Sequence, residues 1–143
     1  MKKTIALCAL IFSISSCTSL QYVALPDATI GSDNMATITV LRPSWFAFGV
    51  RFSILENAEH IGKLGASSYL SWSVDPAQQM SRITSIGENT SDLSVTLESG
   101  KNYYIKQQTK LGVAYARSGL VLMDENEALP IINGLRKPRV KIN

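Results

Sequence analysis

Residues 92–109 run Asp92-Leu93-Ser94-Val95-Thr96-Leu97-Glu98-Ser99-Gly100-Lys101-Asn102-Tyr103-Tyr104-Ile105-Lys106-Gln107-Gln108-Thr109. Leu93, Val95 and Leu97 alternate with Ser94, Thr96 and Glu98, the period of two that a pleated strand takes when one of its faces is buried. Ser99-Gly100 has turn chemistry, and residues 103–109 return as the next strand. Working outward, the same alternation recurs. Ala36, Ile38 and Val40 alternate with Thr37, Thr39 and Leu41, and Val50, Phe52 and Ile54 with Arg51 and Ser53. Glu56-Asn57-Ala58-Glu59 reads as a hairpin connection into a short strand over 60–64. Leu70, Trp72 and Val74 alternate with serines until Asp75-Pro76 stops the run. Residues 80–86 give a weaker strand signal, and 113–117 and 120–123 add one or two more.

Helix signals are scarce. Asp124 followed by Glu127 has the form of a capping box, Pro130 limits a helix begun there, and Gly134 is a natural stop. The spacing predicts one short helix within 125–133. Many short strands with little helix imply a mainly β domain: a small antiparallel β-sandwich of about seven or eight strands, spanning residues 36–134.

The N-terminal segment has a different logic. Met1-Lys2-Lys3 is a positive start, residues 4–14 are apolar, and Ile14-Ser15-Ser16-Cys17 follows. A largely apolar stretch of about eleven residues suits an export signal and is too short to span a bilayer. Ile14-Ser15-Ser16-Cys17 resembles the lipobox of bacterial lipoproteins. The resemblance implies that residues 1–16 are a signal peptide and that Cys17 becomes the acylated (palmitate-bearing) first residue of the mature chain. Residue 18 is threonine and not the aspartate of an inner-membrane retention signal, so the expected location is the outer membrane, with the domain facing the periplasm. Residues 17–35 read as a tether whose root-mean-square span is roughly 20–25 Å.

The 143 residues suit one domain, and a hydrophobic content of 45% is enough for a core. Of 14 basic residues, Lys2 and Lys3 belong to the signal, leaving 12 against 11 acidic ones. With that balance the charge gives no indication of nucleic acid, whose recognition needs a basic face, and none is expected as a partner. Residues 135–143 carry Arg136, Lys137, Arg139 and Lys141 and read as a basic tail, either solvated or in contact with anionic lipid or polymer. Cys8 leaves with the signal, so the mature domain has no disulfide and depends on its core. There is no Walker or dinucleotide glycine motif. His60 is the one histidine, and beside Glu56 and Glu59 it makes a poor metal site. Neither a metal, a cofactor nor an enzyme is expected.

Two stretches stand out as candidate contacts. Pro43-Ser44-Trp45-Phe46-Ala47-Phe48-Gly49 packs three aromatics into seven residues between strands, flanked by Arg42 and Arg51. Either Trp45 or Phe46 caps the core, or Trp45, Phe46 and Phe48 meet a partner, a glycan or a bilayer, with Arg42 and Arg51 facing an acidic group. The second stretch is Ser99-Gly100-Lys101 with Tyr103.

Val40-Leu41-Arg42-Pro43, Ile61-Gly62-Lys63-Leu64, Ser71-Trp72-Ser73-Val74-Asp75-Pro76 and Leu97-Glu98-Ser99-Gly100-Lys101-Asn102-Tyr103-Tyr104 together resemble the pattern of a widespread family of uncharacterised bacterial lipoproteins, a domain of unknown function. The likeness covers about residues 36–133 and implies a sandwich of the PEGA or carboxypeptidase-regulatory type, with no catalytic residues to carry over. Ala77-Gln78-Gln79 departs from the family's glycine and basic residue after the proline turn. Ser99-Gly100-Lys101-Asn102-Tyr103 also resembles the S-G-x-x-Y motif of membrane-bound lysozyme inhibitors, though the disulfide usual in them is absent. The leading expectation is a lipid-anchored, non-enzymatic binding or scaffolding module with an envelope protein as partner. The alternative is an inhibitor or a binder of glycans or small ligands.

Overall fold

The computed structural model describes residues 34–135 and the backbone of two short flanking strands. The signal 1–16, Cys17, most of the tether and Arg136 and Lys137 lie outside the described residues. In chain order the elements are β1 (Tyr22–Ala24), β2 (Ala36–Arg42), β3 (Phe52–Glu56), β4 (Glu59–Leu64), β5 (Ser68–Val74), a 3-10 turn (Pro76–Gln78), β6 (Met80–Ile86), β7 (Thr90–Thr96), β8 (Asn102–Lys110), β9 (Arg117–Met123), α1 (Glu125–Asn133) and β10 (Arg139–Lys141). Eight strands form two four-stranded sheets, ordered β5-β2-β8-β9 and β4-β3-β6-β7. The fold is a small, mainly β sandwich with one C-terminal helix, as the alternation implies. Its pairings are antiparallel except for β2 with β8, which run parallel from Thr37 opposite Asn102 to Leu41 opposite Lys106.

That parallel pair corrects the reading of 92–109 as strand, turn and returning strand. β7 and β8 are both strands but lie in different sheets. Residues 97–101 form an arch over one end of the sandwich, with Leu97 N–H donating to the Gln79 carbonyl (2.8 Å) and Thr37 N–H to that of Lys101 (3.0 Å). The β3–β4 connection is a true two-residue hairpin. Glu56 faces Glu59, and Asn57 and Ala58 both have positive φ (46° and 72°), the twist that suits a right-handed ribbon.

The core lies between the sheets. Ala36, Ile38, Val40, Leu70, Val74, Tyr103 and Ile105 from one sheet meet Ile54, Leu64, Ile83, Val95 and Leu97 from the other. β2 is buried at every position, where the alternation implied one buried face. Its outer side is covered in part by α1, whose Ala128 packs with Leu41 and Tyr104. In β6 two of the buried positions are Ser81 and Ser85, while Met80 and Ile86 are exposed, which is why its pattern is faint.

The capping box at α1 is not made. The Asp124 side chain forms no cap bond, and its carbonyl instead accepts from the Glu127 and Ala128 N–H groups (3.1 and 3.0 Å). The helix also continues past Pro130 to Asn133, losing one ladder bond while its apolar side stays packed. At the chain's margins, Tyr22–Ala24 pairs antiparallel with Arg139–Lys141, joining part of the expected tether to part of the expected tail.

Replacing Ile38, fully buried on β2, by alanine should destabilise the domain by about 2–5 kcal/mol, whereas Leu122→Ala on the exposed edge of β9 should change it by less than about 1 kcal/mol. Urea unfolding of both variants checks this, and equal midpoint shifts would contradict the assigned core.

Candidate functional site

The segment 43–51 is organised from below by one side chain. Arg42 continues the inward-facing row of Ala36, Ile38 and Val40 and is fully buried at the end of β2. Its Nη1 donates to the Val50 carbonyl (2.7 Å), and its Nη2 to the carbonyls of Phe46 (2.7 Å) and Ala47 (2.9 Å). The guanidinium carbon sits 5.0 Å from the centre of the Phe52 ring. Ala47 adopts a left-handed conformation (φ 54°), costly for a residue with a Cβ, and the Val50 N–H closes the turn on its carbonyl (2.9 Å). Arg42 is therefore not a partner contact as its flanking position implied. A buried guanidinium needs acceptors, and the loop carbonyls supply them to Nη1 and Nη2, while the buried Nε has no hydrogen-bond partner among the described residues.

With its backbone held from inside, the loop turns its rings outward. Trp45 is 67% exposed, Phe48 73% and Phe46 50%. The Trp45 and Phe48 rings lie 6.1 Å apart at 38°. Of the two readings of this stretch, the geometry agrees with exposure and not with a core cap. Arg51, next to it, is exposed as well.

A second loop, residues 111–116, stands beside the first. The alternation placed a strand over 113–117, but β9 begins only at Arg117. The Glu88 carboxylate, from the β6–β7 turn of the opposite sheet, holds this loop: it accepts from the N–H groups of Val113 (3.1 Å), Ala114 (2.8 Å) and Tyr115 (2.8 Å). These bonds, that from Tyr115 first, hold the Glu88 pKa below the usual carboxylate value, and Arg117 adds a small pull in the same direction. Gly112 is required here, because a Cβ would lie 1.7 Å from the Tyr115 carbonyl oxygen and 2.6 Å from Glu88 Oε2. The neighbouring Asn89 bonds both backbone groups of Ser118, and the Ser118 hydroxyl meets Ser85 Oγ (2.6 Å) and Gln107 Nε2 (3.1 Å) between the sheets.

Leu111 (82% exposed), Val113 (100%) and Tyr115 project from this second loop. Phe46, Ala47 and Val50 line one side of a shallow, open depression of about 330 Å³, and residues 111–116 line the other. Sequence reasoning missed Leu111, Val113, Tyr115 and Glu88. The available signal was Gly112 within an apolar run bracketed by Lys110 and Arg117.

The other candidate residues lie elsewhere. Ser99, Gly100 and Lys101 are at the far end of the sandwich, where Gly100 has positive φ (70°). Lys101 Nζ pairs with Glu98 Oε1 (2.9 Å) and lies 5.6 Å from the centre of the Tyr103 ring. Tyr103 is buried, and its hydroxyl accepts from the Glu98 N–H (3.0 Å). The turn's geometry is thus explained by its own contacts. Glu56 spends its carboxylate on Trp72 Nε1 (2.7 Å) and the Ser81 hydroxyl, away from exposed His60. Among the described residues no group of three His, Cys, Asp or Glu side chains is placed to hold a metal.

Two outcomes follow from these loop supports. Arg42→Met should free the 43–51 backbone and speed hydrogen exchange at the Val50 amide, with a stability loss of about 3 kcal/mol or more from the emptied network. Glu88, whose folded pKa is depressed, steadies the second loop above the unfolded carboxylate pKa, and this support is lost as pH falls through the lower, folded value. Protection of the 113–115 amides, measured relative to their intrinsic exchange rates, should therefore fall on acidification, and Glu88→Gln should flatten that dependence. An unchanged profile would remove Glu88 from the role.

No protein-family model matches the chain, and no curated protein or solved structure is significantly similar to it.

Proposed function

We propose that this chain is a lipid-anchored, non-enzymatic binding module of the bacterial envelope, located by an acylated Cys17 and contacting its partner through the aromatic end of the sandwich. The observation that carries the contact surface is the pair of adjacent loops whose backbones are held by Arg42 and Glu88 while Trp45, Phe46, Phe48, Leu111 and Val113 face solvent. Apolar side chains fixed in an exposed position lose little further conformational freedom on binding, so such a surface is preorganised for contact.

The anchor rests on Ile14-Ser15-Ser16-Cys17 behind the basic start and apolar run. A diacyl or triacyl group exceeds the single chain that gives only marginal membrane binding. Thr18 favours the outer membrane, and the quoted motifs favour kinship with the lipoprotein family of unknown function. The mechanism is placement. The lipid fixes where the domain works, and the aromatic end selects what it meets there.

The test is in-cell photocrosslinking from position 45 and, as control, from exposed Lys63 on β4. The expected result is a discrete adduct from position 45 only, in a membrane fraction that high salt does not release and that Cys17→Ser does release. Equal adducts from both positions would remove the aromatic end as the contact surface. A wild-type chain washed free by salt would remove the anchor.

A further inference from the structure

We infer that the aromatic end enters the interface of a phospholipid bilayer, which makes it a second membrane contact in addition to the lipid anchor. This rests on the anchored-module reading above and names its partner. Three features of the two loops favour a bilayer.

The first is shape. Val113, Leu111, Phe48 and Trp45 are the most exposed apolar side chains at this end, and they sit on two protruding loops with only a shallow depression between them. Protein partners are gripped by pockets, whereas a fluid interface accepts tips. Tryptophan and tyrosine suit the headgroup level, and phenylalanine, leucine and valine the region just beneath it.

The second is the state of the backbone. In water an exposed loop can leave its N–H and C=O groups to solvent, but at the edge of the hydrocarbon each unpaired group costs several kcal/mol. Here the carbonyls of Phe46, Ala47 and Val50 are taken by Arg42, and the N–H groups of Val113, Ala114 and Tyr115 by Glu88. The Phe46 N–H donates to Ser44 Oγ (3.1 Å) and that of Val50 to the Ala47 carbonyl. The tips therefore carry much of their backbone bonding with them.

The third is charge. Lys110 and Arg117 bracket the second loop and face one another across β8 and β9, both exposed, and Arg51 borders the first. Glu88 Oε1 lies 4.0 Å from Arg117 Nε and offsets part of that charge, while it also holds the loop amides. A collar of cations behind apolar tips matches anionic headgroups, each contributing roughly a fivefold gain in association.

The chain enters β2 at Ala36, and the tips follow its other end, roughly 23 Å away along seven residues. With Tyr22–Ala24 paired to Arg139–Lys141, only residues 17–21 separate the anchor from β1, a reach of roughly 17 Å at full extension, and the vesicle arrangement below distinguishes the anchoring bilayer from another one.

The test uses the chain's two tryptophans, Trp45 at the tip and Trp72 packed against the core. Full-length acylated protein is reconstituted into vesicles of phosphatidylethanolamine and phosphatidylglycerol whose acyl chains are brominated near the headgroup. In a parallel sample, only separately added acceptor vesicles are brominated. The expected result is a loss of tryptophan emission in at least one arrangement. The loss should vanish in Trp45→Phe and in Val113→Asp, a change at a fully exposed position that leaves the core intact, and should weaken when phosphatidylcholine replaces phosphatidylglycerol. Quenching in the first sample assigns the contact to the anchoring bilayer, and in the second to an opposing one. Emission unchanged in both overturns the inference, as does a Trp45-dependent protein adduct without quenching. Failure of the anchor is seen separately in the mass of the Cys17 peptide, and non-acylated chain added to brominated vesicles still yields the Trp45 readout.

Discussion

The hydrogen bonds of the buried Arg42 guanidinium govern the part of the molecule that faces outward. A cation withdrawn from water must find acceptors, and at the end of the inner row of β2 the nearest are the carbonyls of the loop that follows. Folding the sandwich around Arg42 therefore also folds residues 43–51. The loop's left-handed Ala47 and its outward rings are consequences of that arrangement, because carbonyls turned inward to the guanidinium leave the side chains to the other side. The Phe52 ring beneath the cation adds a contact that does not compete for its donors.

The same end repeats the device with the charges reversed. Glu88 is an anion gathering N–H groups where Arg42 is a cation gathering carbonyls, and each comes from a position next to the loop it orders. Because Glu88 and Asn89 belong to one sheet and residues 111–118 to the other, these bonds also tie the sheets together. The Ser85, Ser118 and Gln107 side chains satisfy one another just inside, so the core gives way to polar bonding before it reaches the loops. Gly87 marks how tightly the two halves approach there. A Cβ on it would come within 2.6 Å of the Ala116 carbonyl oxygen and of the Phe52 ring.

Much of this fold was legible from alternation alone, since Leu93, Val95 and Leu97 or Leu70, Trp72 and Val74 need only a pleat and one buried face to be understood. What alternation does not encode is partnership. Nothing local to residues 97–103 distinguishes a hairpin from an arch, because the choice is made by β2, more than sixty residues earlier, offering its free edge to β8. The aromatic loop was visible as composition, but whether its rings point in or out was decided by Arg42, and an arginine beside a loop reads in sequence as a solvated charge. The second loop stayed hidden because Val113 and Tyr115 keep strand-like spacing, and because Glu88 looks like any acidic turn residue until the opposite sheet supplies its donors.

The parallel pairing of β2 with β8 also fixes the order in which this domain can assemble. β2 can pair with β5 once residue 74 is available, but its other edge waits for residues 102–106. Until then the central strand of the sheet carries an open ladder on one side, with Ile38 and Val40 beside it, and a chain emerging from its N-terminus must hold that edge unpaired while five further strands, β3 to β7, are made. Closing a loop of this length before its contacts form places the protein among slowly folding β domains, and the exposed edge is where premature association with another copy would begin. The strand that organises the finished sandwich is thus the one whose pairing is completed late, and any factor that shields newly made chains of this kind would do most of its work on residues 36–42.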